Sequence, residues 1–204
     1  KLKNLIDVAK GDIPADLLLK NAQVVNVFSG EIYATNVAIA EEWIAGVGQE
    51  YGDGKEVIDL TGLYLLPGFI NGHFHLESSL LTPAEYARLA LAHGTTTVIL
   101  DPHEIANVLG LPGIQALIDS SKDLPLDYFF MAPSCVPATP LETAGAFLPS
   151  TDVEKLLKNN RVLGLAEMMN YPGVLRKDPE VFRKIQAAQK LSLIHISEPT
   201  RQAE

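Results

Sequence analysis

The stretch Pro67-Gly68-Phe69-Ile70-Asn71-Gly72-His73-Phe74-His75 is an apolar run that ends in two histidines spaced one residue apart. On an extended strand, residues i and i+2 point to the same face, so both imidazoles converge on one point, as metal ligands must. The residues that follow, Glu77-Ser78-Ser79, suit a strand end opening into a loop, where substrate can still reach a metal. A His-x-His pair taken alone is equally a pair of surface or core histidines, so its context has to decide.

Downstream the rhythm is strand, loop, helix. Phe69 to His75 reads as a strand, and Thr82-Pro83-Ala84-Glu85 offers an N-cap, a first-turn proline and a capping-box glutamate for a helix through Tyr86, Leu89 and Ala90 that stops at Gly94. Thr95 to Leu100 is β-branched and mostly apolar, as a buried parallel strand should be. A helix is expected within Gly113 to Ser120 and a third strand over Tyr128 to Ala132. Thr151-Asp152-Val153-Glu154 reads as a second capping box, opening a helix through Leu156 and Leu157. Val162 to Ala166 is the fourth strand, and Asp178-Pro179 caps a helix through Val181, Phe182 and Ile185. Strand and helix alternating in this way imply an α/β fold with a parallel sheet and right-handed crossovers, either open and doubly wound or part of a barrel.

Upstream, between Ala15 and Leu60, short β-like runs are punctuated by Phe28-Ser29-Gly30-Glu31 and Tyr51-Gly52-Asp53-Gly54. The runs are 16–20, 23–27, 36–40, 43–47 and 56–60, and they predict a small antiparallel β unit. Lys3 to Lys10 predicts a short helix ended by Gly11.

The 204 residues are 47% hydrophobic and 20% charged, the balance of a globular protein with a substantial core. A net charge of −9 argues against nucleic acid as a partner, because tracking a phosphate backbone needs clustered Lys and Arg. A small neutral or weakly charged substrate fits better. Cys135 is the single cysteine, so no internal disulfide can form and a reducing, cytoplasmic setting is expected. No apolar run approaches the roughly 18 residues that span a bilayer, and no signal peptide is evident, so no membrane association is expected. The first residue is Lys1, and the true N-terminus is expected to lie upstream.

The last stretch, Leu191 to Arg201, reads LSLIHISEPTR, the in-frame translation of a transposase sequencing adapter. We therefore expect residues 191–204 to be a non-native tail and exclude His195 from any site, although Leu193-Ile194-His195-Ile196 alternates like a strand.

Chemistry-bearing residues gather at the C-terminal ends of the predicted strands: His73 and His75, then Asp101, His103 and Glu104, then Ser134 and Cys135, then Glu167 and Asn170. Catalytic groups of βα folds collect at this face. Glu167 follows the apolar Leu163-Gly164-Leu165-Ala166 with no cation beside it in sequence, and as a buried carboxylate it needs a metal or hydrogen-bonded partner. His103 and Glu104 fit a ligand, a proton shuttle or a substrate contact, while Asp101-Pro102 also fits a turn that opens a helix. Cys135 has no basic neighbour in sequence to activate it and reads as a packed thiol.

The order of these parts, a small β domain, then Pro-Gly-Phe-Ile-x-Gly-His-x-His, then β/α units, resembles the amidohydrolase superfamily. Within it, the blocks His75 to Ser79, His93 to Thr97, Asp101 to Val108, Pro133 to Ala138 and Leu165 to Met169 resemble the bacterial adenine deaminases, over essentially Ile13 to Lys190. The resemblance implies a small N-terminal β domain (15–66, after an extension, 1–14) and the first half of a metal-dependent (β/α)8 barrel (67–190). It implies two divalent ions, manganese or iron with zinc also admissible, and conversion of adenine and water to hypoxanthine and ammonia. His73, His75 and Glu167 match the metal ligands; His103 and Glu104 are assigned to catalysis, and Glu77, Asp101 and Ser134 to substrate binding. The alternatives are another cyclic amidohydrolase or aminohydrolase, or a non-catalytic degenerate barrel. The family's later ligands would follow Lys190, so the chain alone is expected to be inactive and poorly soluble, with an open edge at strand four; a homo-oligomer is left open.

Overall fold

A β-branched run flanked by capped amphipathic helices can bury itself only by pairing with its like, and the second half of the chain does so. A computed structural model describes residues 1–191. The remainder of the tail, with His195, lies outside the described residues. Two compact units divide between Pro67 and Gly68.

The first unit begins with α1 (Leu2–Ala9) and continues through β1 (Ala15–Asn26), β2 (Glu31–Ala40), β3 (Trp43–Val47), β4 (Gly54–Asp59) and the two-residue β5 (Tyr64–Leu65). The expected runs 16–20 and 23–27 are one strand, interrupted by a register shift between Leu19 and Ala22, where Asn21 takes a φ of 60°. The unit is not wholly antiparallel. β1 pairs β2 antiparallel but pairs β4 and β5 in parallel, Leu17 opposite Glu56 and Val24 opposite Leu65. Periodicity cannot distinguish the two modes, because side chains alternate identically in both. Val8 of α1 packs with Ala15, Leu18, Ala38 and Ala40 in a small core.

The second unit is a four-stranded parallel sheet in chain order: β6 (Phe69–Phe74), β7 (Thr95–Leu100), β8 (Asp127–Ala132) and β9 (Val162–Leu165). Between β6 and β7 lie a 3₁₀ turn, Leu76–Ser79, and α2 (Pro83–Ala92). Thr82 caps α2 as expected, its Oγ1 accepting from the Glu85 N–H at 3.4 Å, and Gly94 reverses the chain at a φ of 83°.

α3 (His103–Ser120) starts ten residues earlier than the expected helix, directly after Pro102. Gly110, at φ 61° and ψ −145°, breaks it into two pieces, and Pro112 lies inside the second. Pro and Gly so close together mask the first piece in the sequence. α4 (Ser150–Leu156) is not capped by Thr151 as expected. Its first N–H, that of Ser150, instead donates to the Glu180 carboxylate of α6 (Pro179–Lys190), and Asp178 caps α6. α5 (Tyr171–Leu175) was not evident from the sequence pattern.

Val98, Leu100, Tyr128, Phe130, Ala132, Val162 and Leu165 of the strands form one core with Ala87, Ala106, Ile114, Val153 and Ala188 of the helices. Near the N-terminal ends of β8 and β9, Arg161 donates from Nε to the Tyr128 carbonyl (3.0 Å) and from Nη1 to the Ile118 carbonyl (2.9 Å). Its Nη2 reaches Ser121 Oγ at 2.7 Å, and the guanidinium lies 5.3 Å from the Phe130 ring centre. It thereby caps α3 and ties it to β8. No helix among the described residues is long and apolar enough to cross a membrane.

Candidate metal centre

Parallel strands in register bring their C-terminal ends to one level, and the side chains there face a common space. β6 delivers His73 and, one residue beyond its end, His75; β7 delivers Asp101; β9 delivers Glu167. Donor atoms of these four residues all lie within 4.8 Å of one another. The two Nε2 atoms are 3.1 Å apart, close enough to share an ion, and His73 Nε2 is 3.9 Å from Glu167 Oε1.

The orientation of His75 follows from its surroundings. Its Nδ1 lies 2.7 Å from the Asp101 backbone carbonyl, which can only accept, so Nδ1 carries the proton and Nε2 presents a lone pair to the centre. The Asp101 N–H in turn donates to the Phe74 carbonyl at 2.9 Å, fixing the end of β7 against β6.

Asp101 and His103 are 1% and 4% exposed. Asp101 Oδ1 and His103 Nδ1 are in contact, yet out of line for a hydrogen bond; among the described residues, neither Asp101 oxygen and neither His103 nitrogen has a hydrogen-bond partner. A buried carboxylate in that condition is costly and asks for a cation. Imidazole nitrogens with carboxylate oxygens are a donor set for a borderline divalent ion, so the residues fit a metal.

The structure places the other expected residues around this centre. Glu167, expected to be buried, is 39% exposed through its side chain, because β9 ends at Leu165 and the carboxylate emerges at the strand's open end. Glu104 is exposed, with Oε2 3.3 Å from His75 Nδ1 and Oε1 accepting from Ser78 Oγ at 2.9 Å. Glu77 reaches across to α3, where Oε1 accepts from the Ile105 N–H at 3.0 Å while Oε2 is buried with no hydrogen-bond partner among the described residues. Burial pushes the Glu77 carboxyl above its ordinary range, opposed in part by that N–H. It supplies the side-chain cap that Pro102 cannot give α3.

Ser134 is buried, and its Oγ donates to the Glu167 backbone carbonyl. Cys135 is packed as expected, with Sγ accepting from the Asn170 N–H at 3.2 Å. His103, expected in catalysis, is enclosed beside Asp101 instead of facing open space. Sequence reasoning missed Arg161 and Lys184; for Lys184 the available signal was its place on the helix face of Val181, Ala187 and Ala188.

The profile of the Amidohydrolase family matches residues 64–197, and the chain belongs to that family. A protein named adenine deaminase from Dehalococcoides mccartyi (strain CBDB1) is 58% identical over 187 residues, covering 92% of this chain and 33% of its own length. An adenine deaminase from Desulfatibacillum aliphaticivorans is 51% identical, covering 91% and 32%. The chain thus spans about a third of the length of these relatives. Among solved structures, N-acyl-D-glutamate deacylase from Bordetella bronchiseptica aligns with a TM-score of 0.61 at 15% identity, over 90% of this chain and 44% of that one. The D-hydantoinase from Thermus sp. gives 0.58 at 24%, over 87% and 38%. These likenesses establish the fold: the four β/α units are half of the family's (β/α)8 barrel.

Proposed function

We propose that the protein carrying this chain hydrolyses adenine to hypoxanthine and ammonia in the cytoplasm, using a pair of manganese or iron ions, of which this chain supplies the first donors. The observation that carries the proposal is the convergence of His73, His75, Asp101 and Glu167 in a chain whose relatives bear the name adenine deaminase. His73, His75 and Glu167 hold metal, and Asp101, assigned to substrate binding from its sequence position, joins them as a donor. When bound, such ions supply Lewis acidity and lower the pKa of nearby water.

The chain's own residues do the rest. Water oxygen bonds to C6 of the purine as the C6–amine bond breaks; one water proton ends on ring N1, and the other has to travel to the departing amine. Glu104, exposed and beside His75, carries that proton, with Ser78 holding its other oxygen. His103 backs Asp101, and Glu77 holds the start of α3 so that Glu104 stays in place. Ser134, assigned to substrate binding from sequence, acts through the Glu167 backbone.

The natural gene product, loaded with manganese, is expected to release ammonia from adenine. Turnover of a hydantoin or dihydropyrimidine with no ammonia from adenine would overturn the reading.

A further inference from the structure

Lys184 is the most anomalous residue outside the metal centre. On α6 it shares the inward face with Val181, Ala187 and Ala188 and is only 4% exposed. Among the described residues no carboxylate lies within ion-pair distance of its ammonium. Nζ instead donates to the Ser134 carbonyl at 3.0 Å and lies 5.7 Å from the Phe147 ring centre. Both partners belong to the long segment between β8 and α4. Burial pushes the ammonium's pKa below its ordinary value. An apolar side chain of similar length would fill the same space without that desolvation cost, so the cation is not there for stability.

What it touches explains it. The Ser134 carbonyl is held from outside by Lys184, and the Ser134 hydroxyl holds the Glu167 carbonyl from inside. The adjacent Cys135 sulfur receives the Asn170 N–H, so the same corner fastens both ends of the segment after β9. We propose that Lys184 is a positioning residue that sets Glu167 in the metal centre by fixing Ser134.

The inference rests on Glu167 being a metal donor, as read above. Its test is Mn²⁺ affinity, followed by the electron paramagnetic resonance of free Mn²⁺, in the natural gene product and in Lys184→Met, Ser134→Ala, the double variant and Glu167→Ala. Lys184→Met is expected to weaken Mn²⁺ binding about tenfold, the scale of a lost outer-shell partner, while the metal-free protein melts no lower than the parent. Ser134→Ala should do the same, and the double variant should be no weaker than either single one, because both changes cut one path.

Unchanged Mn²⁺ affinity in folded Lys184→Met would overturn the proposal, as would additive losses in the double variant. Lys184→Gln, a milder change, should give an intermediate loss, and unchanged affinity there would count equally against it. If Glu167→Ala binds Mn²⁺ as tightly as the parent, the donor reading fails instead.

Discussion

The two ends of the four-stranded sheet are built on opposite plans. At the N-terminal end, Arg161 spends its guanidinium on the Tyr128 and Ile118 carbonyls and the Ser121 hydroxyl. At the C-terminal end, both oxygens of Asp101, one of Glu77 and both nitrogens of His103 are buried without hydrogen-bond partners among the described residues. One end has its polar groups satisfied by protein, the other holds them in reserve for a ligand. Such division is how a barrel fold separates stability from chemistry.

The contrast can be broken from either side. Arg161→Met should cost about 3 kcal/mol in urea unfolding, since several carbonyls lose a charged donor at once, while Mn²⁺ affinity of the folded protein stays unchanged. A variant as stable as the parent would erase the contrast. At the other end, His73→Ala should weaken Mn²⁺ binding by about 100-fold or more, exceeding the effect of an outer-shell change, with no loss of metal-free stability. Stripping metal from the parent with a chelator should remove a comparable stabilisation, about 2.7 kcal/mol at a hundredfold excess over the dissociation constant.

Asp101→Asn sharpens the comparison. Asp101 touches buried His103, so neutralising it relieves one desolvated charge but leaves its neighbour unpaired; metal-free stability should change by no more than about 1 kcal/mol while Mn²⁺ binding weakens, as calorimetry with and without metal would show. The smallest effect lies away from both ends. Burial alone would push the Glu180 carboxyl up, but hydrogen bonds from Ser150 and Arg183 outweigh it and hold it at about 2, below the ordinary 4.5. Its folded pKa therefore lies below its unfolded one, so its contribution is complete above pH 4.5 and lost as pH falls toward 2. Glu180→Gln should flatten that part of the acid unfolding curve.

The parallel sheet was legible in the sequence because β-branched runs such as Thr95–Leu100 and capping signals such as Thr82-Pro83 are local. His73 and His75 were legible for the same reason, since a period of two survives without tertiary information. Asp101 was seen but given a different task, because its burial and its place beside His73 and His75 arise only when β7 docks beside β6. The first half of α3 was hidden by Gly110 and Pro112, and the parallel pairing of β1 with β4 has no signature within either strand. Glu180 and Lys184 act on residues far away in sequence, on α4 and beyond β8, so no local pattern reveals what they hold. Lys184 on an otherwise apolar helix face was the signal available, a cation where the packing pattern calls for Leu or Ala.

The order of the sheet, β6-β7-β8-β9, is also the order in which the strands leave the ribosome. Each strand finds its neighbour already made and can join without waiting for later sequence. The donors do not accumulate evenly along that path: His73, His75 and Asp101 come with the first two strands, and Glu167 only after the fourth. An ion arriving before β9 has paired meets three of these four donors, so Glu167 joins the set last.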